Sequence, residues 1–394
     1  MPWRYGRCIP TAALLSFRLG GTDGVAIEAA KWQHALEVLD FDTYTVAGDG
    51  TVDVTVPGLG IGAIDGPDHG ALCDALSRAD LVVVENLCSL PLNPAAWEMV
   101  ARILAGRPAV LHHHDLPWQR AQFSTYPPPP DDGRWRHVTI NELSRNELSS
   151  RGISATTVYN SFVVPNEVPE AGGGLERTSA GDAVRMALGI RPSERIVLQP
   201  TRALARKNVR GGMTAAARLG ATYWLLGSPE DGYGPELDQL VADAPCPVVL
   251  GVPTTNGGSG PEGAMTIDDA YQACDVVALP STWEGFGNPS LESVTHCRPL
   301  LIGPYPVAAE LAAFGFDWFA LDDVDRLDAW LTAPDGGLLA RNLAVARAHF
   351  SLDDLPRRIA AVLPALEVRQ FGQTDVLKMT HPRLACEPDA TTRH

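Results

Sequence analysis

Three clusters of residues have the types and spacing to do chemistry. The first is LPSTWEGFGNPSLESV, residues 279–294, where Glu284 and Glu292 stand eight positions apart around Gly285, Phe286, Gly287, Asn288 and Pro289. Acids are costly to bury unless something pairs with them. The apolar run DVVALP (275–280) reads as a strand, so STWEGFG is the loop at its carboxyl end. Asn288 suits a helix N-cap and Pro289 the first helical position, which puts Glu292 in the first turn. The glycines let backbone approach a ligand closely, and N–H groups at the helix start favour anionic groups. Glu284, near the loop tip, would accept hydrogen bonds from hydroxyls. Glu292, set deeper, would grip a second hydroxyl-bearing group. Polyhydroxylated ligands such as sugars and ribose suit these acceptors. A first-turn acid is also what a helix dipole favours on its own.

The second cluster is LQPTRALARKNVRGG (198–212), again between a strand and a helix. Arg202 and Lys207 lie in the loop with Arg206 between them. Two cations beside a helix N-terminus suit a diphosphate and would stabilise charge on a leaving diphosphate. In isolation the same residues read as solvated loop charge. The third cluster is VLHHHDLPWQR (110–120), which follows a strand and brings together His112, His113, His114 and Asp115. It reads as a ligand-facing strand end or a satisfied histidine cluster. In a metal reading His112 and His114 share a face of an extended strand and Asp115 adds an oxygen ligand. HHHD is not a familiar metal signature, and no metal is expected. A weaker signal is RLGGTDG (18–24), with Gly20, Gly21, Thr22 and Asp23 after the first strand; a plain turn explains it equally.

The elements that must carry these clusters are legible from apolar pattern. The chain has 394 residues, more than one core usually supports, so two domains are expected. Short apolar runs at 11–17, 79–86, 107–113 and 137–141 alternate with helical patterns. After PNEVPEAGGGLERTSAGD (165–182), rich in Pro, Gly and polar residues, runs at 195–200, 222–227, 247–252, 275–280 and 299–303 resume the alternation. Continuous apolar strands between helices indicate parallel sheets covered on both faces, and such sheets bind ligands beyond the carboxyl ends of their strands. Two such halves facing each other across a cleft are expected. Helices are expected over 93–106, 325–348 and 352–366. Tyr271 reads as core rather than as a base-stacking ring.

Composition removes several classes. The net charge of −16 argues against nucleic acid or anionic membrane as partner. Seven cysteines without a C-x-x-C pair argue against a disulfide framework or structural zinc and for a reducing compartment. No apolar run is long enough to span a bilayer. The basic start MPWRYGR with its short apolar run is signal-like, but Arg18 closes the run and no small-residue cleavage site precedes it.

In combination, strand, Arg202-x4-Lys207, helix, then strand, Glu284-x7-Glu292, helix resembles the retaining glycosyltransferases of family 4, which have the GT-B fold. EGFGNPSLES resembles the family's E-G-F-G-x-P-x-x-E pattern. Asn208 departs from the glycine that often follows the lysine, and Pro200-Thr201 from the usual Val-Gly. The resemblance implies an α/β GT-B fold with a domain at 1–167, a linker at 168–182 and a nucleotide-sugar-binding domain at 183–350. A helix at 351–369 would cross back to the first domain, followed by a tail at 370–394. It implies that Arg202 and Lys207 bind the donor diphosphate, that Glu284 and main-chain N–H groups of Phe286, Gly287 and Asn288 bind the donor sugar, and that Glu292 binds ribose. Gly20 and Gly21 would face donor phosphate, and Thr22 and Asp23 the acceptor. His114 would serve the sugar's primary hydroxyl, and Trp118 and Arg120 the acceptor side, where Arg120 suits an anionic acceptor.

The expected activity is cytoplasmic transfer of a hexose from a nucleotide-diphosphate sugar to a hydroxyl of a soluble acceptor. Configuration would be retained by front-face attack, with no protein nucleophile and no cofactor. A GT-B-type nucleotide-sugar epimerase or hydrolase, or a non-catalytic nucleotide-sugar-binding protein, is the alternative.

Overall fold

A computed structural model describes residues 9–21, 23–166, 178–251 and 265–364. Thr22, linker residues 168–177 and the expected tail at 370–394 therefore lie outside the described residues. The chain divides into two compact units, residues 1–161 with 353–394 and residues 162–352.

The first unit contains β1 (Thr11–Leu19), α1 (Gly24–Val38), β2 (Asp42–Gly50), β3 (Val54–Thr55), α2 (His69–Leu76), β4 (Leu81–Glu85), α3 (Pro94–Leu104), β5 (Ala109–His113), β6 (Trp135–Thr139), α4 (Glu142–Ser149) and β7 (Ala155–Thr157). Its strands pair in the order β3-β2-β1-β4-β5-β6-β7, and every pairing is parallel. All five residues of β4 and of β5 are buried. A strand covered on both faces needs a continuous apolar run, which is why these runs do not alternate. The core packs Leu15, Phe17, Val46, Val82, Val84 and Leu111 with Trp97, Val100 and Trp135. Asn93 caps α3 by accepting from Ala96 N at 3.1 Å, with Pro94 as the first helical residue.

The second unit contains α5 (Ser179–Ala187), β8 (Arg195–Gln199), α6 (Val209–Arg218), β9 (Ala221–Leu225), α7 (Gly234–Ala242), β10 (Val248–Leu250), α8 (Ile267–Ala273), β11 (Val276–Leu279), α9 (Asn288–Thr295), β12 (Leu300–Ile302), α10 (Pro306–Ala312), β13 (Phe319–Ala320), α11 (Val324–Thr332) and α12 (Gly336–Phe350). Its sheet runs β10-β9-β8-β11-β12-β13, also parallel throughout. The single helix expected over 325–348 is two helices, broken at Ala333-Pro334-Asp335, where Asp335 caps the second by accepting from Gly337 N at 2.8 Å. Pro334 has no N–H for the preceding turn and disfavours helix in Ala333 before it. The last helix, α13 (Leu355–Val362), returns to the first unit and packs on α1.

Both sheets reverse strand order at one point, between β1 and β4 and between β8 and β11. In open α/β sheets such a point, beyond the carboxyl ends of the strands, is the usual ligand position. The three chemistry-bearing clusters leave β5, β8 and β11, next to these points. Among the described residues, no helix is long and apolar enough to cross a membrane. Cys73 is disulfide-bonded. Cys88, Cys246, Cys274 and Cys297 carry free thiols.

Candidate active site

In the second unit the β8 and β11 loops meet. Lys207 Nζ lies 2.5 Å from Glu284 Oε1, both side chains being 9 % exposed. Ser281 Oγ donates to the same oxygen at 2.6 Å, and Arg206 reaches Glu284 Oε2 at 3.5 Å and the Trp283 carbonyl at 3.3 Å. Burial pushes the Lys207 ammonium below its usual range, with Glu284 opposing that shift. Arg202 is exposed and donates to Glu230 at 2.6 Å, so it does not join Lys207 in this arrangement.

A buried amide organises the β8 loop. Gln199 Nε2 donates to Thr201 Oγ1 and to the Lys207 carbonyl, each at 3.1 Å, and its Oε1 accepts from Tyr223 Oη at 2.7 Å. Asn208, where the family often has glycine, adopts the left-handed conformation itself, at φ 51°. It caps α6 by accepting from Gly211 N at 3.1 Å and donates to the Pro280 carbonyl at 3.1 Å. Asparagine tolerates this region because its short amide bonds locally, so the departure preserves the loop and ties it to β11.

The EGFG loop differs from expectation in three details. Gly287, at φ 91°, is the N-cap of α9, and Asn288 is already helical. Glu292 consequently lies past the first turn. Glu284 is the more buried of the two acids, whereas Glu292 is part-exposed. The reason is Tyr305, whose hydroxyl donates to the Phe286 carbonyl at 3.1 Å and draws the loop inward. A Cβ on Gly287 would stand 2.2 Å from that hydroxyl oxygen. The Phe286 ring is buried, stacked 6.1 Å from Phe162 and edge-on to Phe350 at 6.2 Å, so its backbone is the part that can serve a ligand. Glu292 Oε2 accepts from Tyr271 Oη at 2.5 Å, and His296 stacks on Tyr271 at 4.6 Å. Tyr271 is 1 % exposed, a core ring rather than a platform for a base.

In the first unit, His114 follows β5 and is buried. Its partner is a residue the motifs do not flag. Glu85, fully buried at the end of β4, accepts on Oε2 from His112 Nδ1 at 2.8 Å and from His114 Nε2 at 2.9 Å. Burial raises the Glu85 pKa, but the two imidazoles outweigh it and hold the carboxyl at about 2. Burial lowers His112; at His114 burial also lowers, yet Glu85, Glu28 and Asp115 prevail and raise it. His113 points elsewhere, bonding Ser89 Oγ at 2.6 Å and His137 at 2.9 Å. The carboxylate that meets His112 and His114 is thus Glu85, not Asp115, whose side chain takes Arg120 at 2.8 Å. A lone acid ending the apolar run LVVVE was the available signal.

The other candidates have structural partners. Asp23 caps α1, accepting from Val25 N and Ala26 N at 3.2 Å each, and pairs with Arg18 at 3.2 Å. Gly20, at φ 73°, abuts Thr51, whose carbonyl oxygen would lie 2.4 Å from a Cβ, so backbone packing already requires it. Gly21 shows no such need. Trp118 donates to Glu147 at 2.8 Å beneath the Arg151 guanidinium, 3.6 Å from its ring.

Two parallel sheets of this order, each with candidate ligand residues at its reversal point, define the GT-B fold. HepE of Anabaena, solved with UDP-glucose, superposes with a TM-score of 0.67 at 16 % identity, covering 89 % of this chain and 98 % of that one. Sucrose-phosphate synthase of Thermosynechococcus elongatus gives 0.66 at 12 % identity, over 89 % and 98 %. In sequence, the chain is 26 % identical to the mannosylglucosylglycerate synthase of Petrotoga mobilis, over 78 % of this chain and 86 % of that protein. It is 24 % identical to the protein of the same name from Thermotoga maritima, over 87 % and 97 %. No family model matches. The chain is a glycosyltransferase, similar to the group 1, family 4-like enzymes.

Proposed function

We propose that the protein transfers a hexose from a nucleotide-diphosphate sugar to a hydroxyl of a small soluble acceptor, with retention of configuration. The observation that carries this is the contact of Lys207 with Glu284, residues 77 positions apart in sequence. It sets a cation suited to a diphosphate against a carboxylate suited to sugar hydroxyls, at the carboxyl ends of β8 and β11. One molecule bearing both groups, a nucleotide-diphosphate sugar, matches the pair.

In the proposed reaction the diphosphate takes Lys207 and Arg202, and Arg202 exchanges Glu230 for phosphate oxygen. Glu284 and the N–H groups from Phe286 to Asn288 hold the sugar, and Glu292, set by Tyr271, holds ribose. His114 serves the sugar's primary hydroxyl. The acceptor hydroxyl attacks the anomeric carbon on the face from which the diphosphate departs. The carbon–oxygen bond to phosphate breaks, and the acceptor proton passes to the leaving phosphate oxygen. Lys207 stabilises the charge that develops there. Two relatives are named for a product that joins two hexosyl groups and a glycerate, which supports a small, anionic, soluble acceptor.

The test is a thermal-shift screen with UDP-, GDP- and ADP-sugars, because a ligand of the folded state raises its apparent stability. The donor found is then incubated with glucosylglycerate and neutral glycosides, and the anomer formed is read by NMR. A donor that stabilises and yields an α-linked product from an α-linked donor is expected. Inverted product would refute retention, and the absence of any stabilising nucleotide sugar would refute the donor class.

A further inference from the structure

We propose that Glu85, together with Asn86, is a positioning device for His114 that sets recognition of the donor sugar's primary hydroxyl; this rests on the reading of His114 given above. Glu85 ends β4, Asn86 follows it, and the two work on different parts of the neighbouring loop. Glu85 Oε2 takes the His114 Nε2–H at 2.9 Å. Asn86 Oδ1 accepts from the backbone N–H groups of His114 at 3.1 Å and of Asp115 at 3.2 Å. Asn86 reaches them from the left-handed region, at φ 59°, a conformation asparagine tolerates. One residue therefore fixes the loop's backbone and its neighbour fixes the ring.

The ring's orientation follows from chemistry. A carboxylate accepts and does not donate, so it requires hydrogen on Nε2 of His114 and on Nδ1 of His112. With Nε2 committed, Nδ1 is the His114 atom available to a ligand. The His112 ring stands 4.5 Å from that of His114 and is backed by Trp32 at 4.4 Å, so the pair cannot swing as a unit. The charged groups facing His114 are Glu85 on β4, Glu28 on α1 and Asp115 on its own loop; Lys31 offsets Glu28 at 2.5 Å, and Arg120 offsets Asp115. The balance keeps the imidazole readily protonated, with a second N–H on Nδ1 to offer to a hydroxyl oxygen.

The same three side chains, Glu85, His112 and His114, are close enough to hold a metal ion. Glu85 Oε1 and His112 Nε2 are buried without hydrogen-bond partners. The short contacts from both imidazoles to one oxygen fit donated protons, and the alternative is an outcome of the test.

The experiment compares donors with and without the primary carbinol, UDP-glucose against UDP-xylose, or GDP-mannose against GDP-rhamnose if the guanosine series is the one used. Loss of a charge-assisted bond predicts that Glu85→Gln lowers kcat/KM for the hexosyl donor by about 10- to 100-fold. It should change kcat/KM for the donor lacking the hydroxyl by less than about threefold. Equal losses on both donors, or no loss on either, would overturn the proposal. His114→Ala is run beside it: if that variant shows no preference for the hydroxyl's absence, the assignment of His114 fails rather than the role of Glu85 alone. Should Glu85→Gln not fold, nitrogen-15 imidazole NMR of the wild-type chain decides. Hydrogen on His114 Nε2 is expected. A proton on Nδ1 alone, or one equivalent of zinc or another transition metal by plasma mass spectrometry, would overturn it.

Discussion

Lys207→Ala separates what the Lys207–Glu284 pair does for the fold from what it does for the reaction. Both side chains are 9 % exposed, and their charged atoms are 2.5 Å apart. Removing one partner of a buried pair typically costs about 3–5 kcal/mol, because the other charge is left uncompensated. Here two neighbours soften the loss. Ser281 still donates to Glu284, and Arg206, one-third exposed at 3.5 Å, supplies positive charge to its other oxygen. A stability loss of about 2 kcal/mol is expected, read by urea denaturation at constant slope. The effect on transfer should be larger. A unit charge about 4 Å from a leaving phosphate is worth about 4 kcal/mol at an effective dielectric of about 20. That corresponds to roughly a thousandfold in kcat/KM. The double variant Lys207→Met/Glu284→Gln removes both charges, so stability should return to within about 1 kcal/mol of wild type. Turnover should stay lost, because neither the phosphate cation nor the sugar carboxylate is restored. A folded Lys207→Ala enzyme within tenfold of wild-type kcat/KM would refute the reasoning. So would recovery of turnover together with stability in the double variant.

Two further predictions rest on separate features. Gly287→Ala places a methyl 2.2 Å from the Tyr305 hydroxyl at a φ of 91°, so it should cost about 1–3 kcal/mol and weaken donor binding, checked by melting temperature and calorimetric titration with the donor. Glu85, held at about 2 against an ordinary 4.5, contributes stability that is full above pH 4.5 and is lost as the pH falls toward 2. Acid unfolding should therefore steepen in that window by up to about 3 kcal/mol, and Glu85→Gln should flatten it; an unchanged acid profile in the variant would contradict the depressed carboxyl.

Much of the second unit was legible because its signals are local. DVVALP and RIVLQP are continuous apolar runs, and strands covered on both faces leave that trace. The punctuation after them, Gly-Phe-Gly with Asn-Pro and Arg-x4-Lys, marks loops at strand ends. Local pattern also misled. Apolar spacing runs on across Pro334, so 325–348 reads as one helix where the structure has two. Asn288 carries every mark of a cap, yet Gly287 takes that place because Tyr305 holds the loop from 18 positions beyond it.

The first unit's site was less legible. HHHD stood out, but nothing near it in sequence names its carboxylate. Glu85 looks like the last residue of a strand, and only the pairing of β4 with β5 sets Glu85 opposite His112. Asp115, adjacent in sequence, turns instead to Arg120.

The sequence alone therefore determined the α/β alternation, the loops that bear chemistry and the charges they carry, because all three depend on residues within a few positions of one another. Only the tertiary structure decided the partners. Lys207 meets Glu284, Glu85 meets two histidines, and Tyr271 meets Glu292 across 77, 27 or 29, and 21 positions. Strand order sets these contacts. The pairing of β4 with β5 sets Glu85 against the histidines, and the reversal point between β8 and β11 brings the Lys207 and Glu284 loops together.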